Sequence, residues 1–182
     1  MDNQKLNPMF LIAVPQLGDP NFARSVVLML HHNEEGALGL IVNSPTQMTL
    51  GTFARAEGFT CHPDLEMRPV FRGGPVDPER GWILHQDETV KERQEILPGF
   101  FVSGSRETLG GLLEKGAHFR LLTGYAGWTE GQVEEEMKQG GWIAAKVSPK
   151  YVFETNPSET WDLILNDMGV DPTQLMVGTG LH

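Results

Sequence analysis

Two glycine-rich tracts carry the residues of this sequence that best suit binding chemistry. The first is Arg72-Gly73-Gly74, in which a guanidinium group precedes two residues without side chains. A guanidinium beside accessible backbone amides suits a carboxylate or a phosphate group. The alternative is that Arg72 forms an ion pair with a neighbouring Asp or Glu of the same chain, and the sequence leaves both interpretations open.

The second tract runs from Gly124 to Gln132 and places Trp128 directly after Gly127. Thr129 and Gln132 have the spacing of a capping box, which predicts that a helix begins here. Such a corner either holds an anion at the N-terminus of the helix or packs its aromatic rings tightly between strand and helix. In the second case we expect Trp128 to be buried against a sheet and Thr129 to cap the helix.

His85 is the residue whose type best suits acid–base chemistry, provided that it lies near the two glycine tracts. A Ser/His/Asp triad of Ser25, His85 and Asp19 is conceivable, but Ser25 lacks the G-x-S-x-G elbow of an α/β-hydrolase. We therefore assign no catalytic residue. The candidate ligand-binding residues are Arg72, Gly73, Gly74, His85, Gly127 and Trp128.

The histidines and the cysteine do not form a spaced set of metal ligands. His31 and His32 precede Glu34, but adjacent residues on a strand point to opposite faces, so the two imidazoles do not converge on one ion. We expect no metal and no cofactor. The single cysteine, Cys61, cannot form an intrachain disulfide, which favours a reducing compartment, and we interpret it as an ordinary thiol.

The overall charge excludes some classes of partner. The chain of 182 residues has 24 acidic and 14 basic side chains, and its net charge is −10. The basic residues are scattered, so we expect no direct, specific binding to DNA. The apolar runs fall far short of a membrane span, and the N-terminal region has no apolar stretch typical of a secretory signal. We expect a cytoplasmic protein whose partner is a small molecule or another protein.

The hydrophobic pattern predicts a single domain over residues 1–182, with a mobile start at residues 1–8. The nearly continuous apolar runs Ser25–His32 and Ala37–Asn43 predict a buried hairpin. Further predicted strands are Met9–Val14, Val70–Arg72, Gly81–His85, Phe100–Ser103, His118–Leu122, Trp142–Val147 and Tyr151–Phe153. Early hairpins and later alternation of strands and helices indicate an α+β, or mixed α/β, domain.

Polar residues before apolar helical patterns predict where the helices begin. Thr49 begins a helix that ends at Gly58, and Ser105 begins one that ends at Gly116. A third helix follows Thr129. The last is predicted to begin at Asn156, because a proline follows in its first position and a glutamate three residues later completes a capping box.

Four tracts together make the sequence similar to the YqgE/AlgH family of uncharacterised bacterial proteins. They are Phe10–Pro45, Val70–His85, Gly124–Glu136 and Trp161 in the last predicted helix. The resemblance spans most of the chain and implies a curved, barrel-like mixed sheet with three to four helices packed outside it. One name in the family carries the label of transcriptional regulator, and the acidic charge of this chain does not favour regulation through direct DNA binding.

Two classes of function follow from the sequence. The first is a non-catalytic domain whose glycine-rich corners at 73–76 and 124–131 bind a ligand or a partner, with any effect on gene regulation being indirect. The alternative is an enzyme acting on a small anionic or nucleotide-like molecule, in which Arg72 and the loop amides hold the anion and His85 is the acid or base.

Overall fold

The two longest apolar runs of the sequence form adjacent strands near one end of a ten-stranded sheet. The computed structural model describes residues 8–177, so the mobile start predicted for residues 1–8 lies, apart from Pro8, outside the described residues. The strands of this part of the chain are β1 Met9–Ala13, β2 Val26–Asn33, β3 Gly36–Ile41, β4 Pro45–Thr49, β5 Pro69–Arg72, β6 Val76–His85, β7 Gln94–Leu97, β8 Phe100–Ser103, β9 Phe119–Thr129 and β10 Trp142–Ala145. Its helices are α1 Leu50–Glu57, α2 Arg106–Lys115, α3 Gln132–Lys138, α4 Lys150–Phe153, α5 Thr160–Asp167 and α6 Pro172–Val177.

The sheet is mainly antiparallel and open. Its strands follow the order β10-β1-β2-β3-β9-β6-β8-β7, while β5 pairs in parallel with β9 and β4 pairs with β5. The outermost strands of this path, β10 and β7, are not paired with each other within residues 8–177, so the sheet does not close. The α+β class is confirmed. The barrel-like shape implied by the resemblance is not confirmed, and six helices replace the expected three to four.

Strand β9 joins the two halves of the sheet. Its second part, Ala126–Thr129, pairs with β3, and its first part, Phe119–Thr123, pairs with β6. Between them Gly124 has a φ of 74°, in the left-handed region that favours glycine. The regular alternation of side chains between the two faces of the strand is interrupted at this residue. Leu122 belongs to the largest core cluster, whereas Ala126 belongs to the cluster beneath α3.

Three clusters of buried side chains fill the interior. The largest includes residues of β1–β3 and of α5, whose Trp161 donates its indole N–H to the carbonyl oxygen of Ala13 at 2.8 Å. A second cluster packs α1 and α2 on the sheet through Leu50 and Leu113. The third lies beneath α3, where Val133 contributes its buried side chain.

The ends of α1 and α2 agree with those predicted from the sequence. The Thr49 hydroxyl accepts a hydrogen bond from the amide of Thr52 at 3.2 Å, and the Ser105 hydroxyl accepts one from the amide of Thr108 at 3.1 Å. Both helices end at glycines with positive φ, Gly58 and Gly116, as expected for left-handed C-caps. These local predictions were correct because a cap needs partners only three or four residues away.

Other boundaries differ from the sequence prediction. The tract from Gly124 to Thr129 is a strand rather than a loop, and α3 begins after Gly131 instead of at Thr129. Half of the predicted capping box remains, since the Gln132 side chain accepts a hydrogen bond from the Thr129 amide at 3.0 Å. Residues Tyr151–Phe153 form a helical turn rather than a strand.

The last predicted helix also begins later than expected. Asn156 accepts a hydrogen bond from the amide of Ser158 in a turn, and α5 starts at Thr160. Asparagine favours such local turns for the same reason that it favours helix caps, because its side chain bonds to a nearby amide. Strands β4 and β7 and helix α6 were not predicted.

Candidate functional site

The two glycine tracts meet with their backbones in direct contact. The Gly73 amide donates to the Thr123 carbonyl at 2.7 Å, and the Gly73 carbonyl accepts from Ile41 at 2.7 Å. A Cβ on Gly74 would lie 2.1 Å from the carbonyl carbon of Tyr125, and one on Gly124 would lie 2.3 Å from the oxygen of Gly74. These glycines therefore permit a close crossing of two chain segments, and the polar groups of Gly73 are occupied by protein partners.

Arg72 lies at the end of β5, beside this crossing. Its side chain is half-buried and donates one hydrogen bond, to the side-chain oxygen of Asn21 at 3.1 Å. No carboxylate within residues 8–177 approaches it to ion-pair distance. Of the two interpretations offered by the sequence, the internal ion pair is thus not formed among the described residues.

The loop that presents Asn21 is fixed by two side chains. The Asp19 carboxylate accepts a hydrogen bond from the Asn21 amide at 2.9 Å and begins a 3₁₀ turn at Pro20–Phe22. Asn43 then accepts from the Val26 amide at 2.9 Å and donates to the Arg24 carbonyl at 3.0 Å. This network brings the loop, residues 19–24, next to Arg72, and we call the two together the Arg72 corner.

His85 is fully buried, and both of its ring nitrogens have partners. Nδ1 accepts a hydrogen bond from the Asp87 amide at 3.1 Å, so the proton of the neutral ring lies on Nε2. Nε2 then donates to the Ser103 hydroxyl at 2.8 Å, and that hydroxyl donates to the Glu92 carbonyl at 2.5 Å. Burial lowers the pKa of His85, which favours this neutral form.

This chain of hydrogen bonds has the wrong direction for nucleophilic catalysis. A base must accept the proton of the serine hydroxyl, whereas here the imidazole donates to Ser103. The triad considered from the sequence is not assembled either, because the ring nitrogens of His85 are occupied by Ser103 and Asp87 rather than by Ser25 or Asp19.

His85 also lies away from the glycine crossing. In the pairing of β6 with β9, Gly81 is opposite Thr123 and His85 is opposite Phe119. Four residues along a strand correspond to about 13 Å. The structure therefore brings Arg72, Gly73 and Gly74 together with Gly124, while His85 is at the other end of the ladder.

Trp128 is buried, with 6% of its surface exposed. Its ring stacks on Phe22 at a centroid distance of 6.0 Å and meets Trp142 edge-on at 6.0 Å. The two indole N–H groups donate to the same carboxylate oxygen of Glu136, at 3.1 Å from Trp128 and 2.8 Å from Trp142. Gly127 is exposed beside it and lines a wide depression of about 500 Å³ over the paired strands β3 and β9.

Of the other groups of metal-binding type, His32, His62 and Cys61 have hydrogen-bond partners among the described residues. Nε2 of His32 lies 2.5 Å from a carboxylate oxygen of Glu134. Within residues 8–177, no three side chains of metal-binding type converge on one point. Burial, followed by the charge of Glu66, raises the pKa of the Cys61 thiol, so the reactive thiolate is disfavoured.

A second surface feature was not singled out from the sequence. The loop before β7 and helix α2 enclose a polar groove of about 430 Å³. The Glu92 carboxylate spans it and accepts hydrogen bonds from the amides of Gly104 and Ser105 at 3.0 and 3.3 Å. Lys115 pairs with Asp87 at 2.7 Å, and this hydrogen bond is the largest cause that lowers the pKa of Asp87. The carboxylates of Glu92 and Asp87 in this groove are thus bound by groups of the protein itself.

Arg120, in the first half of β9, is the other charged group that the sequence analysis did not select. It donates to the Val42 carbonyl at 2.7 Å and stacks over Phe71, with its guanidinium carbon 4.1 Å from the ring centroid. In the sequence, Arg120 is the single arginine inside the apolar strand pattern His118–Leu122. A charged side chain at the edge of a core is uncommon, and this position could have marked Arg120 as a candidate.

Among the described residues, none of the helices combines the length and the apolar character that crossing a bilayer demands. The fold and the site define an α+β protein with one large, open, mainly antiparallel sheet. Its glycines permit a close crossing beside an arginine that has no carboxylate partner among residues 8–177.

The chain belongs to the DUF179 family, described as AlgH-like, whose model matches residues 10–173. The predicted resemblance to the YqgE/AlgH family is thereby confirmed. A UPF0301 protein of Myxococcus xanthus is 42% identical over 180 residues, which cover 98% of this chain and 99% of that protein. A UPF0301 protein of Ralstonia pickettii is 37% identical, with 93% of this chain and 92% of the relative covered.

Solved structures agree with this assignment. The solution structure of the AlgH protein from Pseudomonas aeruginosa has a TM-score of 0.75 and 29% identity, with 100% of this chain and 98% of that chain covered. A crystal structure of the Corynebacterium diphtheriae protein DIP2367 has a TM-score of 0.68 at 20% identity, covering 100% and 95% of the two chains, and it supports the fold alone.

Proposed function

We propose that this protein is a non-catalytic binding domain and that its ligand or partner presents a carboxylate or phosphate group to the Arg72 corner. One observation carries the proposal. Arg72 is a half-buried residue, and its guanidinium has the amide oxygen of Asn21 as its protein partner and no carboxylate at ion-pair distance among residues 8–177.

The chemistry of the guanidinium supports an anionic ligand. Arginine has five N–H donors in a planar fork, and Arg72 uses one side-chain nitrogen to contact Asn21. A charge that is partly removed from water is costly without a counter-charge, and a bidentate anion supplies both the charge and the acceptors. Carboxylates outnumber basic groups in this chain, so the lack of one at Arg72 favours an external partner.

The arrangement around His85 supports binding rather than catalysis. The ring is buried and is held in a tautomer that donates to Ser103, so it is not available as a base for that hydroxyl. It also lies at the end of the β6–β9 ladder that is remote from the Arg72 corner. The enzyme alternative, in which His85 acts on an anion held by Arg72, is therefore the less favoured one.

The wider role that we propose is cytoplasmic. A single cysteine suits a reducing compartment. With a net charge of −10, any effect on gene expression is expected to run through the bound ligand or protein partner instead of through contact with DNA.

A thermal-shift screen with small carboxylates, phosphates and nucleotides tests the proposal. A ligand at a hundred times its Kd adds about 2.7 kcal/mol to the stability of the native state, which raises the Tm of a domain of this size by about 5–10 °C. For a ligand that binds at the Arg72 corner, we expect such a shift to be lost in Arg72→Gln. It should persist in Arg80→Gln, which removes an exposed arginine that stacks on Trp82.

Two outcomes contradict the proposal. If every anion that stabilises the parent stabilises Arg72→Gln equally, the Arg72 corner is not the binding site. If NMR spectra of a stabilising compound show its conversion to a product by the purified protein, the domain is an enzyme.

A further inference from the structure

Three basic side chains lie together on the surface where β5 and β9 run side by side. Arg68 comes directly before β5, while His118 comes directly before β9 and Arg120 lies within it. Because these strands are parallel, with Phe71 opposite Leu122, their N-terminal ends are adjacent. We call Arg68, His118 and Arg120 the basic shelf.

Arg120 is the centre of this shelf. Its guanidinium covers the ring of the buried Phe71 and donates to the Val42 carbonyl, which is its protein acceptor among the described residues. Burial lowers the pKa of Arg120 to about 10, so the side chain remains charged at neutral pH. Most of its five N–H donors are left for another acceptor.

Arg68 adds a second positive charge near Arg120, and His118 adds an imidazole ring. The ring of His118 packs edge-on against Phe153 at 5.5 Å, which places it on the same side of the sheet as the largest core cluster and Phe71. Burial, and after it the charges of Arg68 and Arg120, lower the pKa of His118. Within residues 8–177 neither arginine has a carboxylate at ion-pair distance.

We propose that the basic shelf binds the phosphate group of a small phosphomonoester. Arg120 offers a planar fork, Arg68 a second mobile cation and His118 a ring N–H, which together match the several acceptor oxygens of a phosphate better than the two of a carboxylate. The flat faces of Phe71 and Phe153 hold two of these side chains in place, so less conformational freedom is lost on binding.

This site is separate from the Arg72 corner. Phe71 and Arg72 are adjacent on β5, and successive side chains of a strand point to opposite faces. Since Arg120 stacks on Phe71, the guanidinium groups of Arg120 and Arg72 lie on opposite sides of this part of the sheet.

An NMR titration of the full chain with methyl phosphate at constant ionic strength tests the assignment. We expect saturable shifts of the His118 ring and of the Arg120 Nε–H signal, and none of that size when sodium chloride replaces the phosphate. In Arg68→Gln, which changes an exposed side chain and so leaves the fold intact, the apparent Kd should rise about tenfold.

Two control variants make the result specific. Arg93 is exposed, donates to the Val90 carbonyl and stacks on Phe101, so Arg93→Gln removes a similar arginine elsewhere. In Arg93→Gln and Arg72→Gln, the Kd obtained from the His118 and Arg120 signals should equal that of the parent. Equal shifts with chloride, shifts spread over all arginines, or an unchanged Kd in Arg68→Gln would each overturn the proposal.

Discussion

Replacing Trp128 by alanine is expected to lower the free energy of unfolding by about 3–5 kcal/mol. The ring is almost entirely buried, and the substitution removes its contacts with Phe22 and Trp142 and leaves a cavity beneath α3. Aromatic pairs of this kind contribute about 0.5–1.5 kcal/mol each beyond the area that they bury. For a domain of this size the corresponding fall in Tm is about 6–20 °C.

Trp128→Phe keeps an aromatic ring at this position but removes the indole N–H group and part of the ring volume. The Glu136 carboxylate keeps two other donors, Trp142 at 2.8 Å and Gln132 at 3.1 Å, so it is not left unpaired. We therefore expect a cost of only about 1–2 kcal/mol for this variant.

Urea melts followed by far-UV circular dichroism measure both variants without relying on tryptophan fluorescence. If Trp128→Ala unfolds at the same urea concentration and with the same slope as the parent, the ring contributes nothing to the core. A role as a ligand platform then becomes the better explanation of Trp128, and our reading of its burial is refuted.

Four further substitutions test the local structure. Gly124→Ala should destabilise the protein by more than the roughly 1–2 kcal/mol that a non-glycine residue costs in the left-handed region, because its Cβ would lie 2.3 Å from the oxygen of Gly74. Gly58→Ala has open space around its Cβ and should cost only that amount. Urea melts that show equal destabilisation for the two variants would contradict this. Thr49→Ala removes the cap of α1 and should cost about 1 kcal/mol in the same assay. Burial lowers the pKa of His85 below 6.5, so the folded state binds fewer protons than the unfolded state and stability is lost as the pH falls below that value. In His85→Gln the unfolding free energy should therefore fall less steeply between pH 6.5 and about 5 than in the parent. An identical slope would show that His85 is not the group responsible.

Local patterns predicted the hairpin and the helix caps of this fold. The run Ser25–His32 is continuously apolar at its centre, and both faces of β2 are indeed buried. The caps formed by Thr49 and Ser105 depend only on a hydrogen bond to the amide three residues later. By contrast, the tract from Gly124 to Thr129 is a strand because β3 and β6 pair with it, and no residue within the tract carries that information.

The candidate site was predictable in part. Arg72, Gly73 and Gly74 were selected for their chemistry, and the structure places them beside Gly124. The partner of Arg72, Asn21, lies 51 residues away in sequence, and its position depends on a 3₁₀ turn that no periodic pattern indicates. The position of His85 was likewise not predictable, since the register of β6 against β9 determines which end of the ladder it occupies.

The position of β9 in the chain has a consequence for folding during synthesis. β3 ends at Ile41, and the part of β9 that pairs with it begins at Ala126, so the ribosome adds about 85 residues before β3 can acquire that partner. At synthesis rates of about 5–20 residues per second, the hairpin of β2 and β3 waits for several seconds with one edge open. An open apolar edge of this kind can pair with another nascent chain. Arrival of a single strand then fills the gap between the two half-sheets, so acquisition of the native state is expected to be abrupt and late.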